Sequence, residues 1–282
     1  MKKHIQYYLE YFFVKSWLII TKLLGLEVSS ILTSKLFRTI GAYLKPTRIA
    51  RHNLKMVLPD LNPEEIIPQV WDNLGRMAAE TAILVDMEES KFNHYVKVTG
   101  SENLKKLIGK RALFFTAHLA NWEIIGKALL PYDIQFHAVY RAANNKLFDD
   151  TLNDIRRKSK ATLIPKGKTG AKKIIKALQN NKHVVMLLDQ KMNDGIKVPF
   201  MGHDAMTAPA LASLALKYDC PIIPMQSIRK NGSFFEIVIH PEIHHQNRSV
   251  EEIMTQINDQ IGGWVKANPG QWLWLHRRWI DS

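Results

Sequence analysis

An imidazole held by a carboxylate is a general base, and residues 114–129, FFTAHLANWEIIGKAL, carry both groups as His118 and Glu123, five positions apart. In one continuous helix that spacing turns them about 140° from each other, on different faces. A strand ending at Ala117, a loop, and a helix starting at Asn121 would remove the separation. Asn121 is a good N-cap residue, and Glu123 then falls in the first turn, where the helix dipole favours an acid. A capping box would need Glu or Gln where Ile124 stands, so capping alone does not account for Glu123. The plainer readings are a satisfied loop histidine and an ordinary first-turn acid; the paired spacing at a strand end favours a catalytic dyad.

A general base needs a nucleophile to activate. No G-x-S-x-G elbow is present, and the single cysteine, Cys220, stands between Asp219 and Pro221. An external hydroxyl supplied by the substrate, with no covalent enzyme intermediate, is the simplest chemistry.

The elements that must position these groups begin near Val98. From there β-rich runs (RALFFTA, FHAVYR, ATLIP, HVVMLLD, PIIPMQSI, FFEIVIH) are interspersed with helical patterns around 144–160, 169–180 and 208–217. That pattern predicts an α/β fold, a mixed central sheet flanked by helices, with sites at the carboxyl ends of strands. Before the composition shift, residues 1–97 read as an N-terminal helical, membrane-associating region. Residues 98–282 read as the α/β domain.

The first helical pattern is apolar but broken by Glu10, Lys15 and Lys22. It is too interrupted for a spanning helix, which wants about 20 apolar residues, and no small-x-small site marks a secretory leader. Aromatic residues with Lys15 and Lys22 on one face suit a helix lying in the headgroup region; a core-packed helix with a charged edge is the alternative. Residues 1–58 hold ten Lys+Arg against Glu10 and Glu27, and the whole chain has a formal net charge of +13 over 282 residues. The expected partner surface is therefore anionic, such as phospholipid. One cysteine excludes an intrachain disulfide and a cysteine-based zinc cluster.

Beyond the pair, ordered motifs carry a resemblance. HLANWE is similar to the H-x4-D/E motif of the lysophospholipid-acyltransferase-like superfamily. VYRAANN with Arg141, Arg156 on the next helix, Asp189 closing VVMLLD, VPFMG, and WLHRRW (residues 274–279) resemble, in order, the late acyltransferases of lipid A biosynthesis, the lauroyl and myristoyl transferases. The chain departs from that pattern at Met201, where an aromatic is usual, and at Gly270, where an acid often follows the proline.

The resemblance implies a glycerolipid-acyltransferase-like fold at the cytoplasmic face of the bacterial inner membrane. It implies fatty acyl transfer from acyl carrier protein to a hydroxyl of a lipid A precursor, without a cofactor or a metal. His118 would be the base and Glu123 its partner. Arg141 and Arg156 would bind substrate or stabilise the intermediate, and Asp189 would orient a basic side chain or a substrate group. Twelve Lys+Arg against three Asp in residues 141–182 suit an acidic carrier, although such a run is also what a solvated face looks like.

Other readings carry less. LIPKGKTG lacks the first glycine of a phosphate-binding loop. His240, His244 and His245 come without a zinc pattern. WLWLHRRW could stack on single-stranded nucleic acid, but no nucleic-acid-binding motif accompanies it, and nucleic acid is not expected as a partner. A non-catalytic basic binder and a glycerophospholipid acyltransferase are the alternatives to the lipid A reading.

Overall fold

The computed structural model describes residues 2–279. Four helices come first: α1 (Lys2–Leu24), α2 (Leu26–Gly41), α3 (Lys45–Val57) and α4 (Pro63–Asp86). The Asn62 side chain caps α4 by accepting from Glu64 N, and Pro63 sits at the first turn, where its missing N–H costs nothing. Helices α2 and α4 approach closely at glycines. A Cβ on Gly41 would lie 2.2 Å from the Trp71 ring, and one on Gly75 would lie 2.8 Å from Phe37 Cβ.

After α5 (Glu89–Tyr95) the chain enters the sheet. Its strands are β1 (Val96–Thr99), β2 (Ala112–Thr116), β3 (Phe136–Tyr140), β4 (Thr162–Pro165), β5 (His183–Leu187), β8 (Ile222–Asn231) and β9 (Phe234–Ile239), in the order β1-β9-β8-β2-β5-β3-β4. Only β8 and β9 pair antiparallel; every other neighbour is parallel, so the sheet is mixed as expected. The crossovers carry α6 (Ile125–Ala128), α7 (Lys146–Arg157), α8 (Lys168–Gln179) and α9 (Ala210–Tyr218), and α10 (Val250–Ala267) follows the sheet.

All six strands read from the sequence are present. The structure adds β1, and a hairpin of β6 (Ile196–Phe200) and β7 (His203–Thr207). VPFMG is the tip of that hairpin: Met201 and Gly202 both have positive φ, 52° and 85°, as a tight two-residue turn requires.

Central strand β2 is buried at every position because both faces of the sheet are covered. Alternate residues serve two cores. Leu113 and Phe115 pack with Leu54, Trp71 and the C-terminal tryptophans, while Ala112 and Phe114 pack with Phe92, Ile124 and Phe136. Helices α3 and α4 therefore share a core with the sheet, and the composition shift at residue 97 falls inside β1. None of the described helices is long and apolar enough to cross a membrane.

Candidate active site

Parallel pairing of β2 with β5 ends at Thr116 opposite Leu187, and two residues further on each chain come His118 and Asp189. Matched register delivers the two side chains to the same end of the sheet. His118 Nδ1 lies 2.8 Å from Asp189 Oδ1, and His118 N–H donates to Oδ2 at 3.0 Å. The carboxylate is wholly buried, and Trp272 Nε1–H also donates to Oδ2, at 2.8 Å. Burial by itself would push this acid up, but the adjoining His118 and the hydrogen bonds it donates hold it below the usual carboxylate range. An ionised Asp189 places the ring proton on Nδ1 and leaves the lone pair on Nε2, the state a general base needs.

Glu123 does not hold this ring, which corrects the expected pairing. Both of its oxygens accept from Arg156 of α7, Nε to Oε2 at 2.9 Å and Nη2 to Oε1 at 2.5 Å. Burial works against the Arg156 guanidinium, yet Glu123 keeps its pKa above the ordinary value. The reason is local geometry. A 3-10 turn, Trp122–Ile124, replaces the expected regular helix start, and Asn121 does not cap it. The Asn121 side chain instead accepts from Thr81 Oγ1 at 3.2 Å, and its carbonyl accepts from Ser227 Oγ.

The ion pair sits where two apolar cavities meet. One, about 90 Å³, lies against the sheet between Phe136, Leu163 and Val185; the other, about 430 Å³, lies among α1, α2, α4 and α7. Trp122, Glu123 and Arg156 line both. The Trp122 ring also meets the His118 ring edge-on, with centroids 4.7 Å apart, so it stands between the imidazole and the cavities. Arg156 lies 5.7 Å over the Tyr140 ring at the end of β3. Arg141, the next residue, is exposed and lines neither cavity.

The C-terminal segment closes the site from the other side. Leu273 N donates to His118 O and Ala120 N to Gln271 O, with Trp272 bridged to Leu119. Ala120 takes a left-handed φ of 47° in this loop, an uncommon conformation for a residue with a Cβ. Trp272, Trp274 and Trp279 are all buried, so this segment is core and not a stacking surface for bases. Cys220 is also buried, and burial pushes its thiol up to about 11, which removes it as a nucleophile at neutral pH. His240 meets Gln226 and His245 meets Asp219; among the described residues no cluster could hold a metal ion.

Sequence comparison decides the family. Residues 2–281 match the model of the bacterial lipid A biosynthesis acyltransferases. The chain belongs to that family. The lipid A biosynthesis palmitoleoyltransferase of Escherichia coli (strain K12) is 24% identical over 253 residues, which is 85% of this chain and 82% of that protein. The lipid A biosynthesis acyltransferase of Shigella flexneri matches to the same extent. Among solved structures, the 1-acyl-sn-glycerophosphate acyltransferase of Thermotoga maritima superposes with a TM-score of 0.41 at 14% identity, covering 84% of this chain and 96% of that one.

In this lipid A acyltransferase family member the motifs were legible, but their partners were not. Trp122 gives no signal of its own in the sequence, and Trp272 stands out there only within WLWLHRRW, as a ring that could stack on bases and not as a partner of Asp189. No spacing rule links Asp189 to His118 across 71 positions.

Proposed function

We propose that this acyltransferase moves a fatty acyl chain from acyl carrier protein to a hydroxyl of a lipid A precursor, without a cofactor and without a covalent enzyme intermediate. The observation behind the reading is His118 fixed by a buried carboxylate and packed edge-on against Trp122, which lines two apolar cavities. His118 Nε2 takes the acceptor's hydroxyl proton as its oxygen attacks the thioester carbonyl. Asp189 holds the tautomer and stabilises the imidazolium. Collapse of the tetrahedral intermediate expels the carrier's sulfur, which takes the proton back from Nε2. Arg156, pinned by Glu123 at the cavity junction, is the group to bind a substrate anion or the developing oxyanion.

The surroundings support the same reading. Arg141 belongs to the cation-rich stretch 141–182, which suits an acidic carrier. Tyr8, Phe12 and Leu23 of α1 and Ile31 and Leu32 of α2 are exposed, and such residues suit an anionic membrane surface at the cytoplasmic face of the inner membrane. Nucleic acid is not proposed as a partner.

The test is kinetic. With an acyl carrier protein thioester and a lipid A precursor, His118→Ala and Asp189→Asn should each lower kcat by roughly 10²-fold or more. Glu123→Ala should also reduce turnover, but should leave the acid limb of the pH–rate profile in place, because Glu123 acts through Arg156. Near-normal turnover by folded His118→Ala would overturn the mechanism.

A further inference from the structure

We propose that Trp272 is a positioning residue for the reaction: its indole N–H locks the Asp189 carboxylate in the orientation that fixes His118. The inference rests on the general-base reading of His118 and Asp189 above. Asp189 Oδ2 accepts two hydrogen bonds, one from the His118 backbone N–H at 3.0 Å and one from Trp272 Nε1–H at 2.8 Å, while Oδ1 faces His118 Nδ1. A carboxylate held by His118 alone could rock about that one residue. A third donor arriving from a different element removes that freedom.

Trp272 is suited to the task because it is itself immobile. It is buried, its ring packs at centroid distances of 4.7 Å from Trp274 and 5.7 Å from Phe200, and its backbone bridges Leu119. One residue thus clamps the His118 loop through its main chain and the Asp189 carboxylate through its side chain. A neighbouring tryptophan shows that the bond to Asp189 is specific: Trp274 is equally buried, but its Nε1–H goes to Pro269 O.

The bond has an electrostatic consequence. A donor to Oδ2 spreads the carboxylate's charge and lowers its basicity. Without that donor the anion pulls harder on the Nδ1 proton and stabilises the protonated form of the dyad more, so the acid limb of the pH–rate profile should move to higher pH. The other titratable or charged groups near the carboxylate are His276, which burial holds below its ordinary pKa, whose Nε2 lies 3.3 Å from the Asp189 backbone carbonyl and whose ring packs on Trp272, and the buried Arg278.

The experiment is the pH profile of kcat/KM for the full chain carrying Trp272→Phe, with Trp274→Phe as the control for loss of a buried indole. Trp272→Phe should lower kcat by about 10-fold or more with little change in KM, and should move the acid limb to higher pH. Trp274→Phe should leave that limb at the wild-type position. If Trp272→Phe does not fold, a benzothienylalanine in its place keeps the ring's volume without the N–H and should give the same shift. An unmoved limb, or an equal shift in Trp274→Phe, overturns the inference. If that happens while Asp189→Asn still shifts the limb, only the role of Trp272 is lost. Full activity of His118→Ala would remove the reading on which it rests.

Discussion

Arg229 of β8 grips Glu80 of α4 in a buried bidentate ion pair, Nη1 to Oε1 at 2.8 Å and Nη2 to Oε2 at 2.9 Å. Ser30 of α2 and Ser233 also donate to Oε1, so one carboxylate ties two N-terminal helices to the sheet. Removing one partner strands the other charge in the interior. Glu80→Ala should therefore destabilise the fold by roughly 3–5 kcal/mol, whereas Glu80→Met with Arg229→Met should recover part of the loss. Chemical denaturation of the singles and the double checks this; equal losses in all three would mean that the ion pair is not the origin.

Acid should weaken the fold well before the carboxylates titrate. His183 is buried against the Phe114 ring, and burial, aided by His137 and Lys182 and opposed by Asp133, pushes it down to about 4. The folded state then refuses a proton that the unfolded chain accepts below about pH 6.5. Stability is whole above that pH and falls as pH drops toward 4, by about 3 kcal/mol from this group. His183→Gln should flatten the decline between those limits in a series of thermal melts. A decline unchanged by the substitution would assign it elsewhere.

The exposed side of α1 supplies a test of membrane docking. Phe12 and Leu23 are 71% and 82% exposed. Trp17 lines the larger cavity, so a charge there would disturb the cavity as well as any docking face. Phe12→Glu combined with Leu23→Glu should sharply reduce sedimentation with anionic vesicles while shifting stability by no more than about 0.5 kcal/mol per site. Undiminished sedimentation would locate membrane contact outside α1.

Local pattern reached a long way here. The uninterrupted apolar run of ALFFT, the strand runs after it and the helices between them follow from which residues must leave water, and each of these elements is present. The β6–β7 hairpin escaped because the turn at Met201 and Gly202 lies inside a family motif that reads as a unit. Asn121 was misread as a cap because capping is judged from neighbours in sequence. Its side chain is taken up by Thr81, 40 positions away.

The sequence by itself determined that a histidine would stand at the carboxyl end of a buried strand, with an acid near it in the chain. Only the tertiary structure decided which acid meets the ring. Glu123 is close in sequence, but the turn after Asn121 delivers it to Arg156, which arrives on α7. Asp189 is remote in sequence, yet it becomes the neighbour of His118 because β5 lies beside β2 in parallel register. Strand order depends on crossovers that bury the whole core at once, and a hydrogen bond across that order is a property of the packed sheet, with no trace in the spacing of residues along the chain.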